Sequence, residues 1–453
     1  MMRRTTSWRR RGSVVLIVMW ALAIAALLVS SVQLFGYRQA MLGREALGRV
    51  QARWAARGGV EYTIAVMAAH TQDPVPDDAF AMVREMEEIS VGGLINATYA
   101  IHHHADGRDW AGPMDEHSKI NINSSITNAN ILLLLTDITP DVVDAILDWI
   151  DEDDEVREQG AERDYYLSLE APYLPRNGPM RTIAELELIA GIWPEHVRGE
   201  DWNLNNQVDP NEDDGDLTWP IDEPNHQLEA GWSAILTAYS VQGPLGASGL
   251  PRIYLAEADP LELQDRLNID EEQATALINY AASNTTTGLE QLLTLQVQQE
   301  LASDRSANRR GSTAPTPGSP TLSLTRDHLR AVLAETTLEN VTTRAPGRLN
   351  INTVSEQLLR QLLVTREYLA DEIVYMRNTR LQGIASLVDL LDIPAFREET
   401  GTLEYLGRIM GTRSNVYSIC SQGRSQSGGV EVEIIVVVDR STLPIRILEY
   451  REL

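Results

Sequence analysis

The chain has 453 residues, a hydrophobic content of 43% and a formal net charge of -27. That length and apolar content suffice for two or three packed domains. The acidic charge disfavours nucleic-acid binding and favours bound cations. Cys420 is the only cysteine, which excludes an intramolecular disulfide.

The N-terminal segment carries the strongest pattern. Residues 13–37 contain no charged side chain, and roughly 20 apolar residues in a helix cross a bilayer core of about 30 Å. A basic, acid-free segment precedes them, with Arg3, Arg4, Arg9, Arg10 and Arg11. The pattern predicts a single transmembrane helix with a cytoplasmic N-terminus. A cleaved signal peptide is the alternative, with a weak cleavage site at Val29-Ser30-Ser31.

The two ends of the remaining chain predict one α+β domain. Apolar residues at helical spacing extend the first helix to about His70, with a possible bend at Gly58-Gly59. Alternation over residues 88–104 predicts a strand pair that turns at Gly92-Gly93. β-branched residues predict three further strands, with a hairpin at Gly428-Gly429 between the first two: Val416–Ile419, Val430–Val438 and Ile445–Tyr450.

The middle of the chain contains an internal repeat of a short apolar strand, helix, turn, helix, loop and helix. Three segments follow it: Lys119–Leu186, Arg348–Leu387 and a weaker copy, Arg252–Leu292. Ile120 and Ile122 are predicted to fix the first opening strand to the core. The polar residues after each strand are predicted to accept backbone N–H groups and to cap the next helix.

Several of these segments together resemble the type II secretion system protein K family. The resemblance lies in Gly12 and the uncharged run after it, and in these segments: Lys119–Asn123, Asp148-Trp149-Ile150-Asp151, Gly160-Ala161-Glu162, Tyr165-Tyr166, Asn177-Gly178-Pro179, Arg348–Asp392 and the terminal strands. The region Trp193–Val341 looks enlarged relative to the family.

The resemblance implies a non-enzymatic minor pseudopilin at the tip of a short periplasmic pseudopilus. It implies cleavage by prepilin peptidase between Gly12 and Ser13, methylation of Ser13, and an inner-membrane anchor with a periplasmic body. Other minor pseudopilins are the implied partners, through the N-terminal helix and the exported domain. Position five of the mature chain is Ile17 rather than the usual glutamate, which fits a subunit with nothing stacked above it.

The residue patterns and the family resemblance together predict an α+β fold. It has a pseudopilin-like long helix on a small antiparallel sheet, with a helical insertion of SAM-like or helix-hairpin-helix-like repeats. The predicted organisation is a leader (1–12), a transmembrane helix (13–37), the α+β domain (38–117 with 412–453), a first helical unit (118–200), an acidic irregular insert (201–251), a second helical repeat (252–302), a flexible linker (303–320) and a third helical unit (321–411).

Two acidic segments are candidate calcium sites, because calcium takes 6–8 oxygen ligands from flexible loops. The first has the candidates Asp148, Asp151, Asp153, Asp154, Glu162 and Asp164. Carboxylates at a helix C-terminus oppose its dipole, which argues for a cation there, and the resemblance also implies calcium. The second, weaker segment has Asp209, Asn211 and Asp213. A solvated acidic loop is the alternative in both places.

Other functions find less support in the sequence. There is no G-x-S-x-G, H-E-x-x-H or P-loop motif. The run His102-His103-His104 lies in a predicted strand, where neighbouring side chains point apart and do not form a metal site. Two alternatives to a secretion pseudopilin remain: a type IV minor pilin with the same anchor, and a membrane-anchored DNA-uptake protein, which the acidic repeats disfavour.

Overall fold

The computed structural model describes residues 13–124, 129–219, 221–283, 288–308, 323–339 and 345–453. The predicted leader, with Gly12, lies outside these residues. So does most of the predicted linker, since only its first residues, through Asn308, are described, and these continue a helix.

Helices dominate the middle of the chain. They are α1 (Ser13–Gln72), α2 (Ala81–Glu88), α3 (Ala129–Leu132), α4 (Pro140–Ile150), α5 (Arg163–Leu167), α6 (Pro194–Arg198), α7 (Pro260–Leu267), α8 (Glu271–Ser283), α9 (Gln291–Asn308), α10 (Arg326–Glu335), α11 (Glu356–Leu362), α12 (Glu367–Thr379) and α13 (Thr400–Ile409).

Strands lie mainly towards the two ends. They are β1 (Val91–Leu94), β2 (Ala97–Ala105), β3 (Arg108–Ala111), β4 (Met114–Asp115), β5 (Ile120–Asn121), β6 (Leu236–Thr237), β7 (Val241–Gln242), β8 (Ile253–Tyr254), β9 (Thr336–Thr337), β10 (Ala345–Pro346), β11 (Leu349–Asn350), β12 (Met410–Gly411), β13 (Val416–Ser425), β14 (Glu431–Asp439) and β15 (Arg446–Glu452).

The long helix α1 has two different halves. Its first half is apolar and exposed, and by length and composition α1 qualifies as a membrane-spanning helix, with a mean hydropathy of 2.6 over its most apolar window. From Ala52 onwards one face is buried, with Ala52, Ala55, Ala56, Val60 and Met67 at 5% exposure or less. The first half of α1 is therefore exposed and apolar, and its second half is part of a packed domain.

The second half of α1 packs on an antiparallel sheet with the strand order β1-β2-β13-β14-β15. β13 and β14 pair from Val416↔Asp439 to Arg424↔Glu431, and β13 also pairs with β2. Strands from both ends of the chain thus meet in one sheet. The predicted α+β class and the C-terminal hairpin are confirmed.

The predicted turn at Gly92-Gly93 is wrong, and Gly58-Gly59 has a packing role that was not predicted. The first hairpin turns at Ile95-Asn96, where Asn96 has a φ of 63°, and Gly92 lies within β1. A Cβ on Gly92 would come within 2.5 Å of the Tyr99 ring, so close packing requires this glycine. Gly58-Gly59 lies inside an α1 that is helical throughout, and a Cβ on Gly59 would lie 2.6 Å from Tyr99. Because Gly58 and Gly59 have no side chains, the sheet can pack closely against α1.

Each of the three helical units is closed by a two-residue parallel strand pair. The opening strand of the first unit, β5, pairs with β6. In the second unit β8 pairs with β9, and in the third unit β11 pairs with β12. The repeated feature is therefore a closed loop of chain whose first and last residues are hydrogen-bonded side by side.

These strand pairs change the predicted unit boundaries. The first unit continues beyond residue 200 to β6, because β6 pairs with β5, the strand that opens the unit. The second unit continues beyond residue 302, since α10 packs on α7 and leads into β9. Thus α10 closes the second unit, whereas the sequence predicts that it belongs to the third. The acidic insert is accordingly a long loop within the first unit.

The polar residues after the opening strands have two roles. Asp259 and Ser355 cap the helices that follow, as predicted, whereas the asparagines do not. Asn123 accepts the Met180 N–H at 2.7 Å and donates to the Met180 carbonyl at 2.9 Å. Asn352 does the same to Ile384, at 2.8 and 3.0 Å. Each side chain therefore holds the backbone just before a 3-10 helix of its unit (Ile183–Leu188 or Leu387–Asp392).

We expect Asn352→Ala to lower the free energy of unfolding by about 2–4 kcal/mol, because it leaves the buried N–H and carbonyl of Ile384 without partners. Chemical denaturation of the full chain in detergent measures this. Asn279→Ala, at an exposed position in α8, is the control and should change stability by less than about 1 kcal/mol. Equal effects of the two substitutions would refute this role of the Asn352 side chain.

Candidate calcium site

Three carboxylates converge between α4 and α5. Asp151 follows the last residue of α4, Glu162 immediately precedes α5, and Asp153 lies in the loop between them. One oxygen from each side chain lies within 4.8 Å of the other two. Calcium binds oxygens at 2.3–2.6 Å, so ligands around one ion lie at such separations.

Several oxygens at this place are buried and lack hydrogen-bond donors within the described residues. They are both carboxylate oxygens of Glu162, Oδ1 of Asp151 and Oδ1 of Asn177. The Asn177 amide nitrogen donates to Asp153 O and Asp154 Oδ1, each at 2.9 Å, so only the amide oxygen is left free. Buried oxygens without donors are costly, and a cation is the partner that suits them all.

Asp148 lies next to the three-carboxylate group and acts on it through Arg157. It is fully buried, and Arg157 Nη1 lies 2.5 Å from Asp148 Oδ1 and 2.5 Å from Asp151 Oδ2. A Cβ on Gly160 would lie 1.9 Å from Asp148 Oδ2, so only glycine fits there. Asp148 therefore fixes Arg157, and Arg157 fixes one oxygen of Asp151 while the other remains available.

The electrostatics agree with a cation site. Burial, together with the nearby charges of Asp148, Asp151 and Asp154, raises the pKa of Glu162 to about 7. Burial thus removes water from the Glu162 carboxylate while other anions surround it. A divalent cation would supply the missing positive charge, and the donor set fits calcium.

The structure divides the six predicted ligands of this segment. Asp151, Asp153 and Glu162 come together, Asp148 is bound by Arg157, and Asp154 accepts from Asn177. Asp164 is exposed on α5 and lies outside the three-carboxylate group. The sequence pattern predicts no role for Arg157 or Asn177, although Asn177 lies in a segment that carries the family resemblance.

The second predicted segment has a different arrangement. Asp209 Oδ2 accepts from the amides of Asn203 and Asn205, at 2.7 and 3.0 Å. Asp213 accepts from the backbone and ring of His226, and Asn211 is exposed. In the described part of this segment the acids hold a hydrogen-bonded turn, and they do not form a converging group of three.

The histidine run and the cysteine serve packing. His103 Nδ1 lies 3.0 Å from the Gly112 carbonyl, and burial lowers the pKa of His103 to about 4. His104 contacts Asp109 at 2.9 Å. Cys420 is buried in β13 beside Glu433, and burial raises the pKa of its thiol.

Part of the chain is similar in sequence to a known protein family. Residues 109–199, which include the three carboxylates, match the family described as type II secretion system (T2SS), protein K. A type II secretion system protein K from Klebsiella pneumoniae is 24% identical over 197 residues, or 41% of this chain. The matched part spans 59% of that relative's length. The GspK-GspI-GspJ complex from enterotoxigenic Escherichia coli matches with a TM-score of 0.44 and 12% identity, over 89% of this chain and 96% of that chain.

The fold defines an α+β protein with a long, partly free N-terminal helix and a sheet into which helical units are inserted. Within that class, residues 109–199 are similar to the type II secretion system protein K family. The family resemblance inferred from the sequence is confirmed.

Proposed function

We propose that this chain is a minor pseudopilin of a type II secretion system, with a structural and not an enzymatic role. It sits in the inner membrane with its N-terminus in the cytoplasm and its body in the periplasm. It assembles with other minor pseudopilins at the pseudopilus tip and supports export of proteins across the outer membrane.

The observation that carries this proposal is the division of α1. Its apolar first half is exposed, whereas its second half is fixed to the sheet by Ala52, Ala55 and Ala56. A helix of this kind can lie in a bilayer and later pack against similar helices without any change in the folded body. Prepilin peptidase cleavage between Gly12 and Ser13, with methylation of Ser13, belongs to the same proposal.

A stripe on α1 outside the predicted membrane span suits contact with companion helices. Leu47, Val50 and Trp54 are spaced for one helix face and are each more than half exposed. Exposed apolar residues at such spacing favour a partner helix. Ile17 is also exposed, and as an uncharged residue it makes no demand for a neighbouring subunit's amino terminus.

Co-purification from cells with an active secretion system tests the assembly. The full chain should retain other minor pseudopilins, and the double variant Leu47→Gln with Trp54→Gln should lose most of them. Arg44→Gln with Arg49→Gln, on the same helix, is the matched control and should retain them. Undiminished recovery with the first double variant, or an uncleaved residue 1–12 leader in the membrane protein, would count against the proposal.

We also infer that Asp151, Asp153 and Glu162, with Asn177 Oδ1, hold one calcium ion that stabilises the first helical unit. The unpartnered buried oxygens support this inference. The inference does not extend to Asp209 and Asp213, whose carboxylates already accept hydrogen bonds, or to Asn211, which is exposed.

A further inference from the structure

A large cavity lies where α1, the second helical unit and the third helical unit meet. Its volume is about 1080 Å³, at the upper end of the range for small-molecule sites. Among the described residues its walls include His70 at the end of α1, Arg252 and Arg266 from the second unit, and Arg348 from the third.

Four arginines on these walls lack a carboxylate partner: Arg252, Arg348, Arg413 and Arg440. In the part of the chain that the structure describes, none of the four forms an ion pair, and their hydrogen bonds go to carbonyls or a hydroxyl. Arg252 Nε lies 3.4 Å from Leu245 O, and Arg413 reaches two carbonyls at 3.3 and 3.4 Å. These bonds are long, so they satisfy the guanidinium groups poorly.

Arg348 and Arg440 differ in how well they are satisfied. Arg440 donates to Thr71 Oγ1 and Ser414 O, both at 3.0 Å, so it is held as part of the fold. Arg348 Nη1 donates to Gly407 O at 3.1 Å, but its Nε is buried with no partner among the described residues. A guanidinium offers five N–H donors, so Arg252, Arg348 and Arg413 keep donors free for a ligand.

Arg413 and Arg252 lie close enough to other arginines of this wall to be repelled by them. Burial and the neighbouring charges of Arg440 and Arg252 lower the pKa of Arg413 to about 10, and burial and Arg348 lower the pKa of Arg252. Arg413 is nonetheless exposed, because it lines the cavity that solvent enters. Like charges held close together are unfavourable, and an anion between them relieves the repulsion.

The acidic groups on the cavity wall are mostly engaged elsewhere. Glu335 pairs with Arg266 at 2.6 Å, Asp389 with Arg330 at 2.8 Å, and Asp327 with Arg330 at 2.8 Å. Glu290 lies 3.6 Å from Arg408. Asp77 and Glu339 complete the acidic set among the described lining residues. Glu290 and Glu339 act on Arg348, and Glu335 acts on Arg252 and Arg413, but without forming ion pairs with them. The positive charge without an ion-pair partner is therefore concentrated at the four-arginine wall.

We propose that this cavity binds a small organic anion carrying carboxylate or phosphate groups, held by Arg252, Arg348 and Arg413. Guanidinium groups bind both kinds of anion through paired N–H bonds. The volume exceeds what a single inorganic ion needs, so the ligand is an organic molecule with its anionic groups at the arginine wall.

Isothermal titration calorimetry of the full chain in detergent tests the site. The probes are succinate, a dicarboxylate, and glycerol 3-phosphate, a phosphomonoester, titrated in calcium-containing buffer at matched ionic strength. We expect saturable binding of at least one probe, and the better probe identifies the anionic group. Arg413→Gln should weaken that binding about tenfold or more, as expected for loss of a hydrogen bond to a charged group.

The melting temperature of the Arg413→Gln variant distinguishes a loss of binding from a loss of folding. Arg413→Gln removes one of several repelling charges, so the ligand-free variant should melt no lower than the unmodified chain. Arg360→Gln, at an exposed pair on α11, is the control and should bind the probe normally. The proposal is overturned if neither probe binds saturably, or if Arg413→Gln binds as tightly as the unmodified chain.

Discussion

Removing calcium with EDTA should lower the melting temperature of the full chain by about 5–10 °C. A ligand that binds only the folded state at a hundred times its dissociation constant stabilises it by about 2.7 kcal/mol. A domain of 150–250 residues loses roughly 2–4 °C per kcal/mol. Differential scanning fluorimetry with excess calcium and with EDTA measures the shift.

Two substitutions distinguish calcium binding at the three-carboxylate group from a general effect of divalent ions. Glu162→Gln should abolish the calcium-dependent shift while leaving the calcium-free protein at least as stable, because a buried carboxylate becomes a neutral group of the same shape. Asp164→Asn is the matched control, since Asp164 is exposed on α5, and it should keep the shift. A shift that survives Glu162→Gln would disprove calcium binding here.

The calcium response should also depend on pH. The pKa of Glu162 is about 7 in the cation-free fold, against an ordinary value of 4.5. The stability that this protonated side chain contributes is present below the ordinary value and is lost as the pH rises through about 7. Calcium needs the carboxylate form, so the shift should be larger at about pH 8 than at about pH 6. The reverse order would contradict the assignment of Glu162 as a ligand.

The second large effect concerns the contact between α1 and the sheet. We expect Gly423→Ala to destabilise the full chain by about 3 kcal/mol or more. A Cβ at this position in β13 would lie 1.9 Å from Ala52 O and 2.7 Å from Ala56 N. Both obstacles are backbone atoms of α1, so the helix must move as a whole. Denaturant unfolding and limited proteolysis near the end of α1 measure the loss.

Gly428→Ala tests whether any added methyl in this hairpin has the same effect. A Cβ on Gly428 would be 3.6 Å from Val430 Cγ2, which is ordinary contact. This control should change the free energy of unfolding by less than about 1 kcal/mol. If Gly423→Ala is equally mild, then the close approach of α1 to β13 is wrong.

The three-carboxylate group could be predicted from the sequence only in part. The acidic loop after α4 was visible as a run of carboxylates, but the run could not indicate which of them converge. Asp164 and Glu162 are two positions apart, yet Glu162 is buried at the start of α5 and Asp164 faces solvent. The direction of each side chain depends on how the loop returns to the core.

The sequence by itself determined the anchor and the terminal strands. An uncharged run long enough to cross a bilayer is a local property, and so is the β-branched pattern of β13 and β14. Only the tertiary structure decided the closure of each helical unit, such as β5 with β6, and the use of Gly59 and Gly423 for close packing. These features join residues far apart in the chain, and a local pattern does not specify which distant backbone will approach.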